Sequence, residues 1–103
     1  MARFEIADIE HGALGANVGS DVFFELGMMY STGRSVPTDL VTAHKWFNIA
    51  ATRGNKEAAR YRREIAAEMK DAEIGQAQRA ARDWLKAHPL PVVATAPVLR
   101  AAA

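Results

Sequence analysis

The chain contains no cysteine among its 103 residues. Disulfide bonds, thiolate zinc sites and cysteine nucleophiles are therefore excluded, and the composition is compatible with a reducing compartment. No apolar run reaches about 20 residues, the length that a membrane-spanning helix requires. Charged residues also divide the segment from Met1 to Asp8 before the apolar centre of a signal peptide could form. We therefore expect a soluble, cytoplasmic protein.

The chain also has little net charge, because 13 Lys and Arg stand against 12 Asp and Glu, for a formal charge of +1. No strong overall field attracts it to nucleic acid or to anionic lipid. Hydrophobic residues make up 50% of the chain and charged residues 24%, a composition typical of folded globular proteins. At this length we expect one domain that recognises its partners through shape.

Apolar residues recur with a helical period from residue 20 to residue 88, which predicts an all-α domain over this range. Ser20, Thr38 and Asn55 are predicted to cap the starts of the first three helices, and Asp39 is expected in the first turn of the second. The predicted helices run from residue 20 to the interruption at Gly33, from about 39 to 53, from about 55 to 70 and from about 71 to 87. The short connection between the first two predicts an antiparallel hairpin.

The two ends of the chain lack a helical pattern. Residues 1–19 contain three glycines without a sustained period, and we interpret them as an N-terminal arm. Residues 89–103 are rich in proline and alanine, and we interpret them as an extended tail or docking peptide. The predicted organisation is an arm, a helical domain over residues 20–88 and a tail.

The segment from Leu26 to Ala59, LGMMYSTGRSVPTDLVTAHKWFNIAATRGNKEAA, resembles one Sel1-like repeat. The residues that match the family's pattern in order are Leu26, Gly27, Tyr30, Gly33, Val36, Asp39, Ala43, Lys45, Trp46, Phe47, Ala50, Ala51, Gly54, Asn55 and Ala58. The chain departs from the pattern in two places. Arg34 and Ser35 replace the usual second loop glycine, and no second LG..Y..G follows Asn55.

The resemblance implies a fold and a class of function. Sel1-like repeats are similar to tetratricopeptide repeats, in which helix hairpins stack into a superhelix and generally hold partner proteins together. The implied function is a non-enzymatic adaptor or accessory subunit that docks on a larger protein complex, with self-association as a further possibility. The third helix would begin an incomplete second repeat, and the fourth would be a terminal capping helix. Alanine-rich helices with basic faces are compatible with a bacterial source.

No residues are predicted to carry catalysis or to hold a metal or cofactor. His11, His44 and His88 are far apart and none begins the close spacing typical of a zinc site, so we interpret them as exposed or capping histidines. Ser20 and Ser35 lack the surroundings of a nucleophilic serine.

Candidate partner-binding residues are large apolar side chains in or beside the core stripes. They are Phe24, Met28, Met29, Trp46 and Trp84. If Leu26 and Tyr30 of the first helix face inward, their neighbours point partly away and form an apolar strip for a partner helix or peptide. Burial within its own repeat is an equal alternative for Trp46.

An alternative function is a small nucleic-acid-binding regulator that uses a basic helix face. Its candidate residues are Arg53, Lys56, Arg60, Arg63 and Lys70. Glutamates interleave with these cations, a pattern more typical of a solvated helix with internal ion pairs. A regulatory subunit of another enzyme is a third hypothesis.

Overall fold

The computed structural model describes residues 19–90, and these residues form four α-helices without a strand. The helices are α1 (Ser20–Thr32), α2 (Leu40–Thr52), α3 (Lys56–Ala66) and α4 (Asp71–Ala87). They account for 75% of the described residues, which confirms the all-α prediction. Nearly all of the predicted arm and tail lies outside the described residues.

Local capping explains where most helices begin. The side chain of Asp39 accepts a hydrogen bond from the Thr42 amide at 3.1 Å, and that of Asn55 accepts one from the Ala58 amide at 2.9 Å. The Asn55 cap is therefore confirmed, whereas the predicted Thr38 cap is wrong because Asp39, one residue later, caps α2. The predicted Ser20 cap is wrong, because Ser20 is already helical and Gly19 precedes the helix without a side-chain cap.

The third helix is shorter than predicted. It ends at Ala66 instead of about Lys70, and the following residues form a tight turn in which the Glu68 amide donates to the Ile65 carbonyl. Lys70 then lies in extended backbone before α4, where its amide donates to the Glu73 side chain at 2.9 Å. The prediction for α4, residues 71–87, is confirmed.

Helix α2 is the centre of the fold, because it packs against each of the other three helices. Its Trp46 is 0% exposed and stacks on Phe23 of α1, with ring centroids 5.8 Å apart. Trp46 also makes an edge-on contact with Trp84 of α4, with ring centroids 5.5 Å apart. Aromatic side chains in these geometries bury large areas, so this trio joins α1, α2 and α4 in one core.

A second aromatic group joins α1, α2 and α3. The Phe47 ring of α2 lies beside Phe24 of α1 at 5.8 Å and stacks on Tyr61 of α3 at 5.7 Å. Gly27 of α1 lies directly over the same ring, since a Cβ atom there would be 2.5 Å from two Phe47 ring carbons. No side chain fits in that space, so glycine is required for α1 to approach α2 this closely.

The fourth helix packs on α2 through small residues. Ala77 and Ala81 are 0% and 1% exposed, and Arg53, just after α2, donates a hydrogen bond to the His88 carbonyl at 2.7 Å. The C-terminal ends of α2 and α4 therefore lie together. None of the described helices is both long enough and apolar enough to span a lipid bilayer.

Candidate functional site

The structure places the five predicted partner-binding residues in two settings. Trp46 and Trp84 belong to the core, at 0% and 7% exposure, so neither presents a surface to a partner in this conformation. Phe24, Met28 and Met29 are half-buried and pack against the core. The partner-binding role of all five stays a prediction.

The helices hide more apolar surface than the sequence led us to expect. Across residues 19–90, Leu90 is the one large hydrophobic residue that is exposed, at 56%. The predicted apolar strip on α1 is therefore narrow, because Phe24 is partly covered by Phe47 and Tyr61. The described part of the chain therefore presents no wide apolar surface on which a partner could dock.

An open cleft lies between α2 and α4, with a volume of about 480 Å³. We call it the α2–α4 cleft, and its lining residues are Asn48 and Thr52 of α2 and Gln78, Ala81, Arg82, Leu85 and Lys86 of α4. Its floor is partly apolar and its rim is polar. None of the lining residues is acidic.

The cleft is positively charged. Arg82 and Lys86 are exposed and lie one turn apart on α4, and neither takes part in an ion pair within residues 19–90. A third cation is close, because Arg62 of α3 donates a hydrogen bond to the Asn48 side-chain oxygen at 2.8 Å. A ligand with negative charge is therefore favoured over a positive one.

Sequence reasoning did not find this cleft. The helical period within α4 could not show that Asn48 and Thr52 of α2 lie opposite Arg82. The spacing of Arg82 and Lys86, one turn apart on the same helix, was the only available signal.

His44 is buried, at 3% exposure, so its predicted exposed or capping role is wrong. The other three helices all pack against α2, so the face of α2 that carries His44 is covered as well. Burial lowers the pKa of the His44 imidazole, and the positive charge of Arg62 lowers that pKa further. His88 is half-buried, ends α4 and stacks on Trp84, in agreement with a capping role.

The basic residues of the alternative function are partly engaged within the chain. Arg60 forms ion pairs with Glu57 at 2.5 Å and with Glu64 at 3.1 Å. The Arg53 guanidinium bonds to the α4 terminus and lies 5.8 Å from the Phe23 ring centroid. Of the five cations proposed to contact phosphates, the other three are exposed: Lys56, Arg63 and Lys70.

The described residues contain no group of three or more histidine, aspartate or glutamate side chains that could hold a metal ion. Comparison of the chain with models of protein families, with curated proteins and with solved structures gave no match.

Proposed function

We propose that this chain is a non-enzymatic protein-interaction module of the Sel1-like type, an adaptor or accessory subunit that docks on a larger protein complex. The observation that carries the proposal is the fit of Gly27 over the Phe47 ring. Both positions belong to the Sel1-like pattern, and the pattern's small residue lies against its large one where α1 meets α2.

Other residues of the pattern also have structural roles that suit a hairpin repeat. Gly33 has a left-handed φ of 77° at the end of α1 and donates to the Met29 carbonyl, and Asp39 caps α2. The Asn55 side chain donates to Asp21 at 3.0 Å, which joins the start of α1 to the residues after α2. These contacts support an antiparallel arrangement of α1 and α2.

The number of repeats favours a binding role. About three helical repeats are ordinarily needed before a stacked array buries its own faces, and the pattern occurs once here. Helices α3 and α4 each pack on α2 and so substitute for neighbouring repeats. A partner protein would extend such a short array by contacting the surfaces that α3 and α4 leave open.

Site-directed photo-cross-linking at native expression tests this function. A photoreactive phenylalanine analogue is placed, one position at a time, at the exposed residues Glu25, Thr52, Glu64 and Gln78, one on each helix. We expect a discrete cross-linked protein from one or two neighbouring positions and little from the others, because docking uses one face. Each of the other positions serves as a control for random collision.

The proposal is contradicted if no position gives a cross-linked protein and the purified chain is a monomer that unfolds cooperatively at low concentration. Cross-links between copies of the chain would instead support self-association. Recovery of nucleic acid, released steeply as salt rises, would favour the regulator that uses Lys56, Arg63 and Lys70.

A further inference from the structure

The α2–α4 cleft is lined by two cations that form no ion pair within the described residues. The three ion pairs within residues 19–90 involve Arg34 and Arg60 and leave Arg82 and Lys86 without a carboxylate. Arg62, bonded to Asn48 beside the cleft, adds a third positive charge. Three cations around one concave site raise the local concentration of anions, because their fields add in the cleft.

The cleft also has apolar contacts to offer. Leu85 is half-buried and Ala81 is 1% exposed, and both residues line the cleft. A ligand that carries an aliphatic side chain between its charges would bury this floor. Asn48 and Gln78 add amide groups that can donate hydrogen bonds to carboxylate oxygens.

These features favour a protein ligand over a nucleic acid. Non-specific binding of single-stranded nucleic acid combines basic grooves with exposed aromatic rings on which bases stack, and the cleft lining contains no aromatic residue. Arg82 and Lys86 are separated by one helical turn, about 6 Å along a helix surface. Two carboxylates at i and i+4 of a partner helix have the same spacing.

We propose that the α2–α4 cleft binds an acidic segment of a partner protein, in which carboxylates one turn apart pair with Arg82 and Lys86 and an aliphatic side chain covers Leu85. This inference rests on the proposed function and names the chemistry of the partner. The ion pairs of Arg82 and Lys86 with the partner's carboxylates set the specificity and the association rate, while the apolar contact with Leu85 adds affinity.

The test uses the full chain and a synthetic helix-forming peptide with glutamates at i and i+4 that flank a leucine. Binding is measured by titration calorimetry at low and at physiological salt, and a peptide with glutamines in place of the glutamates is the control. We expect the acidic peptide to bind at least about tenfold more tightly than its neutral control, with the difference shrinking as salt rises.

Two double variants locate the binding. Arg82→Glu with Lys86→Glu should weaken binding of the acidic peptide by about tenfold or more, because attraction at both rim positions becomes repulsion. Arg63→Glu with Arg79→Glu makes the same change in net charge at exposed positions outside the cleft lining, and should leave binding within about twofold of the original. All four residues are exposed, so both variants should fold, which circular dichroism verifies.

Several results would overturn the inference. These are absence of binding by the acidic peptide, equal binding of the neutral peptide, or equal losses in the two double variants, which would indicate unspecific attraction. Stronger binding of a poly-uridine RNA that the cleft variant abolishes would assign the cleft to phosphates instead. Because cross-linking at Glu25 or Glu64 does not depend on the cleft, partners recovered there would keep the proposed function while this inference fails.

Discussion

The two sides of α2 differ in how closely they are packed. Toward α1, glycine against the Phe47 ring brings the helices together with no room for one added carbon atom. Toward α4, Trp46 contacts Trp84, and the surface beside the small, buried Ala81 opens into the basic cleft. One helix can therefore use one face to stabilise the fold and another face to help form a binding cleft.

The largest expected effect comes from the residue that touches both sides. Trp46→Ala removes a fully buried ring that contacts Phe23 and Trp84, and we expect a loss of about 3–5 kcal/mol in the free energy of unfolding. A core of this size seldom supplies more than about 3–5 kcal/mol, so the variant should be largely unfolded by circular dichroism. A variant that stays folded with the original stability would contradict this role of Trp46.

A pair of glycine substitutions separates the two sides. Gly27→Ala in α1 should cost about 1–3 kcal/mol, because its Cβ overlaps the Phe47 ring. Gly75→Ala in α4 should instead stabilise by about 0.5–1 kcal/mol, since its Cβ would meet only the flexible Arg79 side chain at 3.4 Å.

Urea denaturation of both variants measures the difference. Phe47→Leu, combined with Gly27→Ala, should recover part of the loss, and a double-mutant cycle gives the coupling. Equal effects of the two alanines would contradict the difference in packing.

Removal of a cap should have a smaller effect. Asp39→Ala deletes the side-chain bond to the Thr42 amide at the start of α2 and should cost about 1 kcal/mol. Ser20→Ala is the matched control and should change stability by less than about 0.5 kcal/mol, because Ser20 makes no cap bond. Thermal denaturation of the two variants in the same buffer compares their stabilities. A larger loss of stability for Ser20→Ala than for Asp39→Ala would support the Ser20 cap that the sequence predicted.

The smallest expected effect concerns pH. The pKa of His44 is lowered by burial in the folded chain, so below its unfolded pKa of about 6.5 the unfolded state binds the proton more readily. Stability should therefore fall as the pH drops below about 6.5 and should be unaffected by this group above that value. Denaturation of the original chain and of His44→Gln between about pH 5.5 and pH 7.5 measures the contribution. An identical pH dependence in the two proteins would contradict it.

Local features of the fold could be predicted from sequence, and contacts between distant helices could not. The Asn55 cap depends on a residue three positions away, so the sequence alone identifies it, whereas α2 is capped by Asp39, one residue after the predicted Thr38. The burial of His44 depends on how the other helices lie on α2, which periodicity within one helix does not determine. The cleft was missed for the same reason.

The most direct test of the division between the two sides of α2 is a two-dimensional amide NMR titration of the full chain with the acidic peptide. The account predicts shifts at Asn48, Thr52 and Gln78 in the cleft, while the amides of Gly27 and Phe47 stay unchanged. Shifts concentrated at Gly27 and Phe47, or no shifts in the cleft, would contradict it.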